Sequence, residues 1–316
     1  MRAILTTVFA LSFAAHVAAG ESYTIGVIAK SQSNAVFQAA RVGAEAAAKE
    51  LGAKHGIAIA IDWRTPNDED AQKQAEAIEQ LVLAGAHGIA VSCSDANKLT
   101  QAIDRAADAG VPVATFDSDA PKSKRFVTYG VDDLLCGKQV MTELAALMKG
   151  QGVVAILAGN QNAPNLQQRV AGVRKVAEQH PGITIVDVFY HKETAQDAAA
   201  KVEQVMQAHP EITGWAMIGG WPLFTDDALK WEPGLVQVVS VDALPPQLKY
   251  LVSGHVQVLL AQQCYQWGYR SVEHLVNKIH LKQDPVAVRD ISELVRVTSD
   301  NVTEYARNWE TWLPKR

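Results

Sequence analysis

Two heptapeptides carry the reading of this chain: VPVATFD at residues 111–117 and VQVVSVD at residues 236–242. Each is an apolar, β-branched run of strand length, closed by an aspartate. Upstream of the first, short β-type runs alternate with helical spacing. The pattern predicts strands over 24–29, 57–63, 88–92 and 111–116. Between them it predicts helices over 36–51 (stopping at Gly52), 70–84 (stopping at Gly85) and 96–109 (stopping at Gly110). This βαβαβαβ order belongs to a parallel sheet covered by helices on both faces.

Upstream of the second heptapeptide the order recurs. Strands are expected over 152–158, 183–190, 215–218 and 236–241, and helices over 166–179, 195–208 and 223–230. Ile25 to Val153 and Asp117 to Asp242 mark nearly the same offset. That offset far exceeds the period of ~20–50 residues that marks solenoid repeats. The expectation is α/β: two similar doubly wound parallel-sheet domains. From Gly254 onward come a strand (256–261), a helix (267–279), a strand (293–297) and a last helix (300–312) with Asp300 as its N-cap. They are too few for a third domain and are expected to complete the two sheets.

Composition agrees. The 316 residues are 48% apolar and 20% charged, which suits two packed domains and argues against disorder. No basic block points to nucleic acid. The first 19 residues have a basic start, an apolar run too short to span a bilayer, and small residues at Val17, Ala18 and Ala19. They read as a signal peptide cleaved after Ala19, give or take one residue. Cleavage removes one basic residue, Arg2, so 29 basic and 34 acidic residues become 28 − 34 = −6. Cys93, Cys136 and Cys264 form no C-x-x-C pair, and the default is buried, reduced thiols.

In open parallel sheets ligands bind beyond the carboxyl ends of the strands. That rule selects Lys30, Gln32, Asn34, Phe37, Ser92, Asp95, Asp117, Asp119, Asn160, Asn162, Asn165, Arg169, Trp221, Asp242, Gln262 and Gln263. Carboxylates accept two hydrogen bonds from a vicinal diol, Asn, Gln and Arg position and donate, and rings cover the C–H face of a sugar. A small, neutral, hydroxyl-rich ligand fits this set. Plainer readings stay open beside it. Asp117 and Asp242 could cap turns, Arg169 could be a surface helix residue, Phe37 and Trp221 could be core aromatics, and Lys30 and Gln32 could be solvated.

The pattern resembles the type I periplasmic solute-binding proteins of the ribose- and galactose-binding kind. TIGVIAKSQSNAVFQAARVGAEAAAKELG (24–52) resembles the family's first strand, loop and helix. VPVATFDSDAP (111–121), NLQQRVAGV (165–173), VVSVDALP (238–245), VQVLLAQQCYQWGYRSVEHLV (256–276) and ELVRVTSDNVTEY (293–305) follow in family order. The resemblance implies sugar contacts from Asn34, Phe37, Asp117, Arg169, Asp242 and Gln262, with Lys30 and Val36 at further positions of the first loop. It implies a three-segment hinge near Val131, Gln263 and Ser292. The domains would then be 20–131 plus 263–291 and 132–262 plus 292–316. It also implies a periplasmic monomer that closes on its ligand and docks on an ABC transporter permease.

There are departures. Ser118 stands where many relatives carry a basic residue, Gly220 and Trp221 replace an Asn-Asp pair, and Val36 replaces a stacking aromatic. A polyol, amino acid or signal molecule feeding a chemoreceptor or sensor is the alternative. No dinucleotide, P-loop, nucleophile-elbow or metalloprotease motif occurs. Neither catalysis, a cofactor nor a metal is expected.

Overall fold

The computed structural model describes residues 21–313. The expected signal peptide lies outside them. The first half runs β1 (Ser22–Ile28), α1 (Ala35–His55), β2 (Ala58–Trp63), α2 (Ala71–Leu83), β3 (Gly88–Val91), α3 (Ala96–Asp108), β4 (Val113–Phe116) and β5 (Val127–Gly130). Then come α4 (Asp133–Leu147), β6 (Gln151–Ala158), α5 (Pro164–Ala177), β7 (Gly182–Tyr190), α6 (Ala195–Ala208), β8 (Gly214–Met217), β9 (Gln237–Val241), α7 (Pro245–Val252) and β10 (Val258–Ala261). The chain ends with α8 (Cys264–Ile279), β11 (Arg289–Ile291), β12 (Val295–Val297), α9 (Val302–Ala306) and α10 (Trp309–Trp312).

Two six-stranded sheets result, in the orders β11-β5-β4-β3-β1-β2 and β12-β10-β9-β8-β6-β7. Every pairing is parallel except β10 with β12. The chain passes between sheets after β5, after β10 and between β11 and β12. Central strands are buried on both faces. In the first sheet Ile25 and Val27 pack toward α1 and α8, while Ile28, Ile89 and Val91 pack toward α2 and α3. These are the two covered faces of a doubly wound domain.

Local chemistry sets the helix starts. Asn34, Asp70, Asp95, Asp132 and Thr194 each accept a backbone N–H of the first turn of α1, α2, α3, α4 and α6. Helix α5 opens on Pro164, whose fixed φ suits a first turn.

Four expectations are corrected. Helix α1 passes through Gly52 and stops at Gly56, whose φ of 68° needs no Cβ. The expected helix over 223–230 is a single 3₁₀ turn at Trp221–Phe224, and the chain beyond it is irregular to Gly234. The expected last helix is two short pieces. Asn301 rather than Asp300 precedes the first piece, and its side chain accepts from Thr298 N. The segment over 293–297 contributes strand only at β12, and β11 pairs with the first sheet just before it.

Candidate ligand-binding site

The carboxyl ends of both sheets face one another across a cleft. At its base lie two aspartates in left-handed backbone conformation, Asp117 (φ 58°) and Asp242 (φ 73°). Such φ values are uncommon outside glycine and mark a backbone held by its surroundings. The holding is the same in both halves. Asp117 N–H donates to Tyr129 O at 3.0 Å, and Asp242 N–H donates to Leu260 O at 2.9 Å. Each bond reaches the strand beside its own, and the twist aims the carboxylate off the sheet into the cleft.

Between them lies a small inner cavity of about 30 Å³, one water's share of liquid volume. Of the residues that the strand-end rule selects, Lys30, Asn34, Phe37, Asp117, Asn165, Arg169, Trp221, Asp242 and Gln262 line it. Ser92 does not. It sits behind Asp117 and donates its hydroxyl to Oδ2 at 2.7 Å. Gln32 also stays outside, donating to Thr65 O, as do Asp95, Asp119, Asn160, Asn162 and Gln263. Asn34 is partly spent on its own helix, since Oδ1 accepts from Val36 N at 3.3 Å. Lys30 and Arg169 are buried, 3% and 2% exposed, so neither is a solvated side chain.

The polar groups form one network. Arg169 donates from Nε to Asp133 Oδ1 (2.9 Å), from Nη1 to Ile218 O (3.1 Å) and from Nη2 to Gln262 Oε1 (2.7 Å). Gln262 passes the chain on, donating from Nε2 to Asp242 Oδ1 at 2.8 Å. Across the cleft, Lys30 Nζ donates to Asn165 Oδ1 (3.4 Å) and Asn165 Nδ2 donates to Asp117 Oδ1 (3.2 Å). Nearer the mouth, Asn160 Nδ2 donates to Glu69 Oε1 at 3.2 Å. A larger space of about 810 Å³ opens there, lined by Ser31, Glu69, Asn160, His191 and Glu193 among others.

Burial shapes the charges. It raises the Asp133 carboxyl to about 6, against the pull of Arg169. It also raises Asp242, against the hydrogen bond from Gln262. Burial opposes the charge of Lys30, but Glu193, Asp117 and Glu69 outweigh it and hold the pKa above that of ordinary lysine. The arrangement therefore offers fixed charged acceptors and donors, oriented before any ligand arrives.

Sequence reasoning missed Asp133, Glu193 and Trp267. None stands at a strand end. Asp133 and Trp267 lie in the first turns of α4 and α8, the two helices that follow a passage between sheets. Glu193 precedes α6, and a spacing signal for it was present: it stands one residue before the N-cap Thr194, as Glu69 stands before the N-cap Asp70. Among the described residues no group of three His, Cys, Asp or Glu side chains is placed to hold a metal. All three cysteines are buried and free.

Comparison with known proteins agrees with this geometry. A family model described as periplasmic binding protein domain matches residues 25–283. The ribose import binding protein of Bacillus subtilis is 26% identical over 268 residues, 83% of this chain and 84% of that one. The D-apiose import binding protein of Actinobacillus succinogenes is 26% identical over 216 residues, 68% of this chain and 67% of that one. A solved ABC transporter solute-binding protein from Burkholderia graminis, in complex with D-arabinose, superposes with a TM-score of 0.83. It is 29% identical and covers 91% of this chain and 98% of its own. The chain belongs to the periplasmic binding protein family.

Proposed function

We propose that this chain is an exported receptor that captures a monosaccharide-like ligand in the cleft and delivers it to an ABC transporter permease. The observation that carries the reading is the pair of left-handed aspartates, one at the end of the fourth strand of each half, meeting in one polar cavity. The leader-like residues 1–19 and the import functions of the relatives support export and delivery.

The two bodies would be 20–131 plus 263–291 and 132–262 plus 292–316, hinged near Val131, Gln263 and Ser292. Ligand bridges Asn34 and Asp117 of one to Arg169 and Asp242 of the other. It exchanges the bonds now made between Lys30, Asn165 and Asp117 for its own hydroxyls. Rigid-body closure of this kind needs only the hinge segments to change dihedrals.

An amino acid fits less well. Its carboxylate would need a free guanidinium edge, and Arg169 already bonds Asp133, Ile218 O and Gln262. Thermal-shift screening against sugars, polyols and amino acids tests the reading. A sugar at about 100 times its Kd should stabilise the fold by about 2.7 kcal/mol. Small-angle scattering should show compaction with that same sugar. Stabilisation by amino acids alone, or a radius unchanged by every bound sugar, would sink it.

A further inference from the structure

Among the described residues, six buried side-chain polar atoms have no hydrogen-bond partner. A buried donor left unpaired is costly, so each such group raises the question of what meets it. Ser94 and Ser118 are hydroxyls, whose hydrogens can turn toward a neighbour. An indole N–H points where its ring points. Of the three tryptophans in this set, Trp63, Trp231 and Trp267, only Trp267 lines the inner cavity.

The ring is not free to turn away. Helices α1 and α8 meet at two glycines. A Cβ on Gly268 would lie 1.8 Å from Ala40 O, and one on Gly43 would lie 1.9 Å from Tyr265 O. The backbones are therefore in direct contact, and the residue before Gly268 is fixed with them. Trp267 is 1% exposed, tilted 38° against Phe37 at 6.0 Å and packed near Phe116 at 6.5 Å. Around the same cavity both carboxylate oxygens of Asp117, Oδ1 of Asp242 and Oε1 of Gln262 already serve other donors.

We propose that the indole N–H of Trp267 donates to an oxygen of the bound ligand and makes Trp267 a specificity-determining contact of the cleft. This deepens the sugar-binding reading and rests on it. The ligand class narrows accordingly. The sugar presents a hydroxyl or ring oxygen, rather than a methylene or methyl group, toward the end formed by Phe37 and Trp267.

The test uses the mature chain and calorimetric titration with D-ribose, D-arabinose and D-galactose. For the sugar that binds, W267F should weaken affinity about 10-fold. One monodeoxy derivative of that sugar should lose a similar factor on the wild type and nothing further on W267F. Because Phe leaves a void, a second variant replaces Trp267 with 3-benzothienylalanine, which keeps the shape and lacks the N–H. It should weaken binding as W267F does. The indole ¹H–¹⁵N resonance missing from W267F should move downfield as the sugar saturates the wild type.

Affinity retained by the benzothienyl variant, with that resonance unmoved, overturns the contact alone; the indole then serves a water that stays in place. A wild-type protein that binds none of the three sugars takes down the sugar reading, and this contact with it.

Discussion

In the first half α1 crosses α8 at Gly43 and Gly268, and in the second α5 crosses α4 at Gly172 and Gly137. The contacts correspond position by position. Gly268 faces Ala40 O, and Gly137 faces Arg169 O, each three residues before the partner glycine of its helix. Counting from these glycines, Arg169 stands where the first half has Ala40, Leu166 where it has Phe37, and Asp133 where it has Cys264. One backbone device thus presents opposite chemistry. The first half brings aromatic planes to the cleft, and the second brings a buried ion pair. Elsewhere in the cleft the division is mixed, since Trp221 of the second half adds a ring and the Lys30–Asp117 pair of the first half adds charge.

The comparison breaks most severely if the crossings are forced apart. Gly268→Ala and Gly137→Ala each place a Cβ within 2 Å of a backbone carbonyl. Neither neighbour is a side chain that can swing away. Each should cost about 4 kcal/mol or prevent folding, read as the loss of urea midpoint. Gly110→Ala meets open space and pays only for its φ of 83°, so it should cost about 1 kcal/mol. Equal effects at the three sites would deny the helix crossings their role.

The Arg169–Asp133 ion pair at the second half's crossing is the next test. Arg169→Met leaves Asp133 and Asp242 in a buried site without their guanidinium. The loss should be about 3 kcal/mol at pH 8. It should shrink toward pH 5, because Asp133, already raised to about 6, climbs further without Arg169 and takes up a proton. A loss that grows on acidification would contradict the pairing.

The two aspartates can then be set against each other. Asn tolerates left-handed backbone, so Asp117→Asn and Asp242→Asn read the carboxylates rather than the turns. Each should weaken sugar binding about 100-fold by titration, since each removes a charged acceptor. Their stabilities should diverge at pH 8. Asp242→Asn removes a carboxyl that burial disfavours and should stabilise. Asp117→Asn leaves Lys30, 3.9 Å away, short of a charge and should destabilise.

Most of the fold was legible because parallel strands buried on both faces read as unbroken apolar runs, and because glycines stop several helices. What escaped was short or contextual. Strand β5 has four residues, and α7 opens on two prolines. Helix α4 buries Val140, Met141 and Leu144, and the first left-handed residue past its C-cap Met148 is Lys149 (φ 53°) rather than a glycine. The turn at Trp221–Phe224 carried helical spacing, but the chain leaves it at Thr225, an extended residue whose hydroxyl donates to Pro222 O, and it stops after one turn. The strand-end rule found Asp117, Asp242 and Gln262 because their placement is local to a strand. Asp133 and Trp267 reach the cleft only through the passages between sheets, and no local pattern records a tertiary contact.

Glu69 and Glu193 give the finest comparison. Each precedes the N-cap of the second helix of its half, and Asn160 serves both: its side chain donates to Glu69, and its backbone N–H donates to Glu193 Oε1 at 3.2 Å. Glu193 leans over Gly159, where a Cβ would lie 2.7 Å from its Cγ. Lys30 occupies the matching place after β1 and points its charge toward the same space. Enclosure raises the Glu193 carboxyl to about 7, although Lys30 pulls it down. The sign follows from linkage. The folded protein holds this proton more tightly than the unfolded chain, whose Glu titrates near 4.5. The resulting stability is full below that pH and is lost as pH rises through 7. Glu193→Gln should therefore match the wild type at pH 4 and exceed it at pH 8. The gain should be about 1 kcal/mol after screening at the open mouth, or ~2–4 °C in Tm. Melting curves that run parallel from pH 5 to 8 would show that Gly159 and Asn160 do not enclose the carboxylate. The second half would then present Glu193 to solvent.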